Sequence, residues 1–440
     1  MMVHSVKFTF ERVIPLISAF FLLGMLVFGY GLAVGKYQIW PWGLLEQSTE
    51  VLKYFIKYGR VIPAANLFHR APADSPRTRF YIHRPDSVME GQYVFVGWDD
   101  EVGIFSARLY GNEGQHLHTW AWDYNELDTE GDGPRNGSTM PHAFKVLKDG
   151  SAIVSFDKGD VMARIDACGK PIWAKPGIYH HSLAFAHDGS MWTWRGGGNF
   201  AWDQYNYIVN FDPNTGNTIR EIGLIEDVIQ PSDARAQIFS VRTTHEFRNS
   251  AGDNYFKEKH DIFHPNDVEI LSPDISEHFA RFSTGDLLLS FRSPNLVVVV
   301  DPYTYEVKWS GSAPWQRQHD PDFRSDGKIS IYSNGNRSVR RSEIIIVDPD
   351  TGEVSNELIG GDLEFFSGAM GKHQYLPNGN VLITVPAEGR IIETTPDGNK
   401  VLEFNNLARG MVDQNAHVEN GQWLPLDYFS VDPTCPEGKN

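Results

Sequence analysis

A pair of turn motifs recurs along this chain and limits its fold more than any other feature. The first motif is a strand, an (Asp/Asn)-Gly turn and a second strand. It occurs in VLKDGSAIVSF ending at Phe156, AFAHDGSMWTW ending at Trp194, DFRSDGKISIY ending at Tyr332 and YLPNGNVLIT ending at Thr384, with a variant in RFSTGDLLLSF ending at Phe291. The second motif closes each unit, at 164–173, 210–219, 299–309, 346–356 and 393–404. Asx-Gly between β-rich runs is hairpin punctuation, so each unit carries two hairpins, or four strands. Repeated four-stranded units are the mark of propeller blades, which bury their faces only by stacking around an axis. Five units are clear, and 91–110 with the HLHTWAWD run after it supplies a sixth. A strand near 415–426 is placed to pair with that first blade and close the ring, which removes exposed sheet edges. The expectation is an all-β, six-bladed propeller over 90–430 with a short tail at 431–440; a flat sandwich array is the alternative, disfavoured by the regular unit length.

Ahead of the repeat, Val13–Val34 carries no charge. As a helix it spans about 33 Å at 1.5 Å per residue, enough for the hydrocarbon layer. It lacks a convincing small-x-small cleavage site and reads as an uncleaved transmembrane anchor over 1–36 rather than a removed signal. Lys7 and Arg12 before it, against Lys36 after it, orient the N-terminus to the cytoplasm and the body to the periplasmic or extracellular side. Residues 37–89 read as stalk and linker, with an amphipathic helix over Leu44–Tyr58. Cys168 and Cys435 are the two cysteines; in an oxidising compartment they are either a disulfide or two unrelated thiols. The formal charge of −17 among 440 residues argues against a nucleic-acid partner, which needs clustered Lys and Arg.

The histidines have a register. His142, His181 and His319 each stand eight residues before the turn glycine of their unit; His373 stands six before Gly379, and His264 opens the third unit. The first strand of a blade lines the central channel, so these positions aim imidazoles at a common axis. Three readings stay open at this point: structural hydrogen bonding between blades; a ligand site, because polar groups crowded on one channel need partners or a ligand; or three or four imidazoles holding zinc or copper. No Cys/His spacing and no acidic companion at fixed spacing calls for a metal, and no Walker loop or GxGxxG precedes a helix. Gly196-Gly197-Gly198 is a flexible turn.

At these residues the chain resembles the bacterial arylsulfotransferase-like family, enzymes that move a sulfo group between phenols without a nucleotide donor. The likeness covers roughly 140–410. It is carried by Asp261-Ile262-Phe263-His264-Pro265-Asn266-Asp267, by Leu289-Ser290-Phe291-Arg292, by Gln318-His319-Asp320 with Asn334-Gly335-Asn336-Arg337, and by Gly371-Lys372-His373 with the Leu-Pro-Asn-Gly-Asn turn ending at Asn380. Tyr332-Ser333 departs from the Phe-Asp usual before Asn-Gly. The resemblance implies a site in the central funnel, with His264, His319, Arg337 and His373 as the catalytic group and Asn266, Arg292, His181 and Asn334 around the substrate. Motif order gives His373 as nucleophile, with His319 as the second choice. The partners implied are an aryl sulfate donor and a phenolic acceptor, with no cofactor. The residues suit that chemistry. A neutral imidazole is a competent nucleophile near pH 7, and an arginine fork fits the sulfo oxygens, with Arg340 and Arg341 as rivals to Arg337. Trp192, Trp194, Trp309 and Trp315 are either the floor of an aromatic pocket or blade core. Two other readings are a membrane-tethered, non-catalytic binding or scaffold propeller, and a quinone- or metal-dependent oxidoreductase.

Overall fold

The computed structural model describes residues 10–37, 67–129, 139–156, 160–196, 206–229, 263–335, 340–358, 361–411 and 413–435. The expected stalk helix, the 197–198 glycines, Asp261 and Arg337 lie outside these residues. The chain divides into two units, residues 1–66 and 67–440. In the first, Phe10–Tyr37 is a helix of 28 residues. Among the described residues no helix is long and apolar enough to cross a membrane.

The second unit is the propeller. Five four-stranded antiparallel sheets and one five-stranded sheet form its six blades. The expected closure is present: Val418–Leu424 pairs with Gln92–Asp99, Val418 opposite Gly97 and Leu424 opposite Gln92, so the latest blade strand in the chain completes the earliest blade. The other inner strands are Pro141–Val146, Tyr179–Phe185, Pro265–Ile270, His319–Phe323 and Lys372–Tyr375. The hairpins form for the reason the sequence suggests. Gly150, Gly189, Gly327 and Gly379 sit at φ 78–87°, where L-residues are strained. The Asx before each glycine accepts the backbone N–H two residues on: Asp149 from Ser151, Asp188 from Ser190, Asp326 from Lys328 and Asn378 from Asn380. Apolar cores fill the spaces between blades; one joins Trp192, Trp194 and Ile208 to Val268, Leu289 and Val298 of the next blade.

Part of the segment expected as linker belongs to the propeller. Phe80–Ile82 adds a fifth strand to the last blade, with Phe80 opposite Phe404, and Phe68–Arg70 pairs with Gln414–Ala416. Three-residue strands are too short to show a period-2 pattern, and they form because a blade edge is there to receive them. At the other end the tail is pinned: Cys168 and Cys435 form a disulfide, Cα–Cα 4.8 Å. The four tryptophans are core. Trp194 is fully buried and donates to the Asp267 carbonyl, Trp192 lies in the same core, Trp315 is buried, and Trp309 packs against its cluster.

Candidate active site: an imidazole cluster on inner-strand bulges

In five of the six blades the inner strand is bulged near its start. Register breaks fall between Pro141 and Ala143, His180 and Leu183, Pro265 and Asp267, His319 and Pro321, and Val418 and Asn420. Each bulge leaves a polar residue unpaired in the ladder: His142, His181 with Ser182, Asn266, Asp320 and Glu419. His181, His264 and Asp320 take positive φ there, at 66°, 46° and 49°. A bulge re-aims a side chain that regular pleating would direct elsewhere, and here it gathers histidines. The ring of His181 lies 3.8 Å from that of His142 and 5.2 Å from that of His264, centroid to centroid.

Two hydrogen-bond chains fix tautomers in this cluster. Asn334 is fully buried; its amide nitrogen donates to the carbonyls of Ser367 (2.7 Å) and Met370 (2.6 Å), which leaves Oδ1 facing His319 Nδ1 at 2.6 Å. Nδ1 of His319 therefore carries the proton, and Nε2 holds the lone pair, receiving the Met370 N–H at 3.2 Å. In the second chain, His180 Nε2 lies 3.0 Å from Asn206 Oδ1, and His180 Nδ1 lies 2.7 Å from His181 Nδ1. With Asn206 as acceptor, His180 offers its Nδ1 lone pair, His181 donates from Nδ1, and Nε2 of His181 is again the basic nitrogen. Both rings stay neutral at pH 7. Burial, then the imidazoles of His142, His180, His264 and His319, hold His181 well below the usual histidine range. Burial, then Arg292, His264 and Lys372, do the same to His319 against the opposing bond to Asn334.

The other expected residues divide. Arg292 follows the strand paired with His264's blade entry, its N–H bonded to the His264 carbonyl. Asn266 is buried, with its amide nitrogen on the Gln318 carbonyl at 2.7 Å. Asn334, expected at the substrate, spends all its polar atoms inside the protein and is a positioning residue for His319. His373 differs most. Its strand has no bulge, so it stands two residues deeper than the bulge positions, as its six-residue offset from the turn glycine indicates. Its side chain has no exposure; Nδ1 faces Asp320 at 3.1 Å, and Nε2 faces Ser330 Oγ at 2.8 Å and Asp322 at 3.5 Å. Burial alone would lower its pKa, but Asp322 and Asp320 overcome that and raise it. Both ring nitrogens of His373 are thus engaged by protein partners, and its raised pKa favours the charged form more than in His319.

A six-bladed propeller with neutral, tautomer-fixed imidazoles gathered on its axis defines a channel-centred protein with group-transfer chemistry within its reach. The arylsulfotransferase (ASST) family matches residues 143–407, and this chain belongs to that family. No curated protein matches it. Among solved structures it is similar to a protein of unknown function from Bacteroides caccae (TM-score 0.45, 10% identity, 75% of this chain and 99% of that one). It is also similar to the hydrazine synthase of Kuenenia stuttgartiensis (0.41, 13%, 66% and 71%) and to virginiamycin B lyase from Staphylococcus aureus (0.34, 13%, 60% and 69%). At these scores nothing about this chain follows from them.

Proposed function

We propose that the protein is an aryl sulfotransferase that works without a nucleotide donor and carries the sulfo group on His319. Family membership supports the reaction class; the Asn334–His319 bond supports the choice of residue, because it leaves Nε2 basic and fixed in direction. In the first half-reaction Nε2 attacks sulfur in line. The N–S bond forms as the aryl O–S bond breaks, through a loose transition state like that of phosphoryl transfer, and the phenolate departs to take its proton from solvent. Arg292 is the described guanidinium nearest in role to a fork on the sulfo oxygens, and the Met370 N–H moves from Nε2 to one of them. In the second half-reaction a phenolic acceptor gives its proton to His181 or His264 and takes the sulfo group back from nitrogen. No metal or cofactor enters either step.

The test is incubation of the full-length chain with an aryl sulfate and no acceptor, followed by peptide mapping of the labile sulfo adduct. An adduct on His319 is expected. An adduct on His373 would restore the motif-order assignment, and the absence of any adduct alongside phenol release would remove the covalent mechanism. We further propose that the N-terminal helix tethers the propeller to a membrane with its body on the oxidising side. Phe20, Phe21, Leu26 and Phe28 on that helix are about 70% exposed (68%, 68%, 71% and 69%), and the Cys168–Cys435 bond is of a kind that persists outside the reducing cytosol. Recovery of the full chain in the soluble fraction would count against the tether.

A further inference from the structure

The inner strands enclose an axial cavity of about 1000 Å³, lined in part by His181. Its wall carries Asp267, Glu269, Asp320 and Asp322, with Lys145 and Lys372. Burial raises Asp267 and Asp322 well above the carboxylate range and Glu269 to about 7, so these four carboxyl groups share protons beside the two ammonium groups and His373. The other charged groups nearby are already matched: Arg324 with Asp326 and Glu357, and Glu419 with His417.

His373 gives these carboxyl groups a common centre. Asp320 binds its Nδ1 and turns Nε2 towards Asp322, 3.5 Å away, and Glu269 lies within hydrogen-bonding reach of Asp322. A carboxylate behind an imidazole whose far nitrogen faces further carboxylates is the arrangement that orients metal-bound histidines. Candidate ligand atoms of Asp320, Asp322 and His373 lie within 4.8 Å of one another; two bonds of about 2.1 Å at a right angle put ligand atoms about 3 Å apart. Independently of that trio, Asp267 is only 4% exposed and lines the same cavity, and its carboxylate has no hydrogen bond or ion pair among the described residues. A buried acceptor left in this state costs stability unless something binds it. Lys372, the nearest ammonium, is engaged by Asp320 at 3.3 Å.

We propose that His373 and Asp322, with Glu269 and Asp267 beside them and Asp320 orienting the ring, form a site for one divalent cation in this cavity. A ligand set rich in carboxylate oxygen with one imidazole suits an ion of the Mn²⁺ class better than a soft metal. The site uses none of the imidazoles assigned to sulfo transfer, although His181 lines the same cavity, and it does not depend on the sulfo-transfer reading. Its test is Mn²⁺ titration of the tag-free, full-length chain, followed by the loss of the free-ion paramagnetic resonance signal. One Mn²⁺ per chain is expected. Asp322→Asn and Glu269→Gln are each expected to weaken binding at least about tenfold, while His319→Ala leaves it unchanged. Circular dichroism identifies which of the two acidic variants is folded and to be read. No binding to the folded wild type up to about 1 mM, the weak end of protein divalent sites, would overturn the proposal. So would binding that survives both acidic substitutions, or binding lost only in His319→Ala, which would put the ion among the histidines.

Discussion

His319 opens its inner strand and His373 is the second residue of the inner strand of the next blade; both are buried, and they are opposites. His319 faces an amide oxygen and neighbouring cationic groups, and its pKa falls; His373 faces Asp320 and Asp322, and its pKa rises. Burial penalises the charged form of both, so the difference comes from the first neighbours. The same division separates the two regions of the channel, a neutral nitrogen-rich cluster on bulges and an acidic cavity beside an unbulged strand. Residue type and blade position do not set a histidine's chemistry; the partner on its far nitrogen does.

The contrast is broken most directly by removing each ring. His319→Ala is expected to lower sulfo transfer by at least about 10²–10⁴-fold, the scale of a lost positioned base or nucleophile, with little change in folding. His373→Asn is expected to reverse the pattern: the His319 adduct still forms, while urea denaturation shows a loss of about 3–5 kcal/mol, because Asp320 and Asp322 lose a partner. Equal effects on activity would erase the distinction. Next in size, Asn334→Ala frees the His319 tautomer and is expected to cost about 10–100-fold in turnover, with substrate affinity held, since Asn334 does not reach the channel.

The smallest effect is in pH. His373 has a raised folded pKa, so its contribution to stability is complete below about 6.5 and is lost as pH rises through the folded value. His181 and His319 have lowered folded pKa values; their contribution is present above about 6.5 and is lost as pH falls towards those values. Denaturation midpoints against pH should therefore show the alkaline limb flattened in His373→Asn and the acid limb flattened in His319→Gln. If the limbs exchange, the protonation states argued here are reversed.

Local signals made the blades legible. Asx-Gly turns act over four residues, and the closing strand carries its own alternation. The bulges were not legible, because a register break exists only against a partner strand, yet they decide where His142, His181 and Asp320 point. The His373 offset of six in place of eight was visible and marked the odd blade before any coordinates. Asn206 and His180 gave no signal beyond being polar. The acidic wall did give one: Asp267-x-Glu269 and Asp320-x-Asp322 place acids two apart on innermost strands. Arg337 falls outside the described residues, and the role expected of it passes in the proposed mechanism to Arg292.

The ring is sealed by Val418–Leu424 against Gln92–Asp99, and Cys168 and Cys435, 267 positions apart in sequence, are bridged just beyond that seam. Translation delivers the sealing strand last among the blades. Until then the nascent body is an open arc whose leading sheet has a bare edge, the sort that recruits foreign strands. Circularity is thus a post-synthetic event, and any chaperone or export route handling this chain must shield that edge until the closing strand arrives.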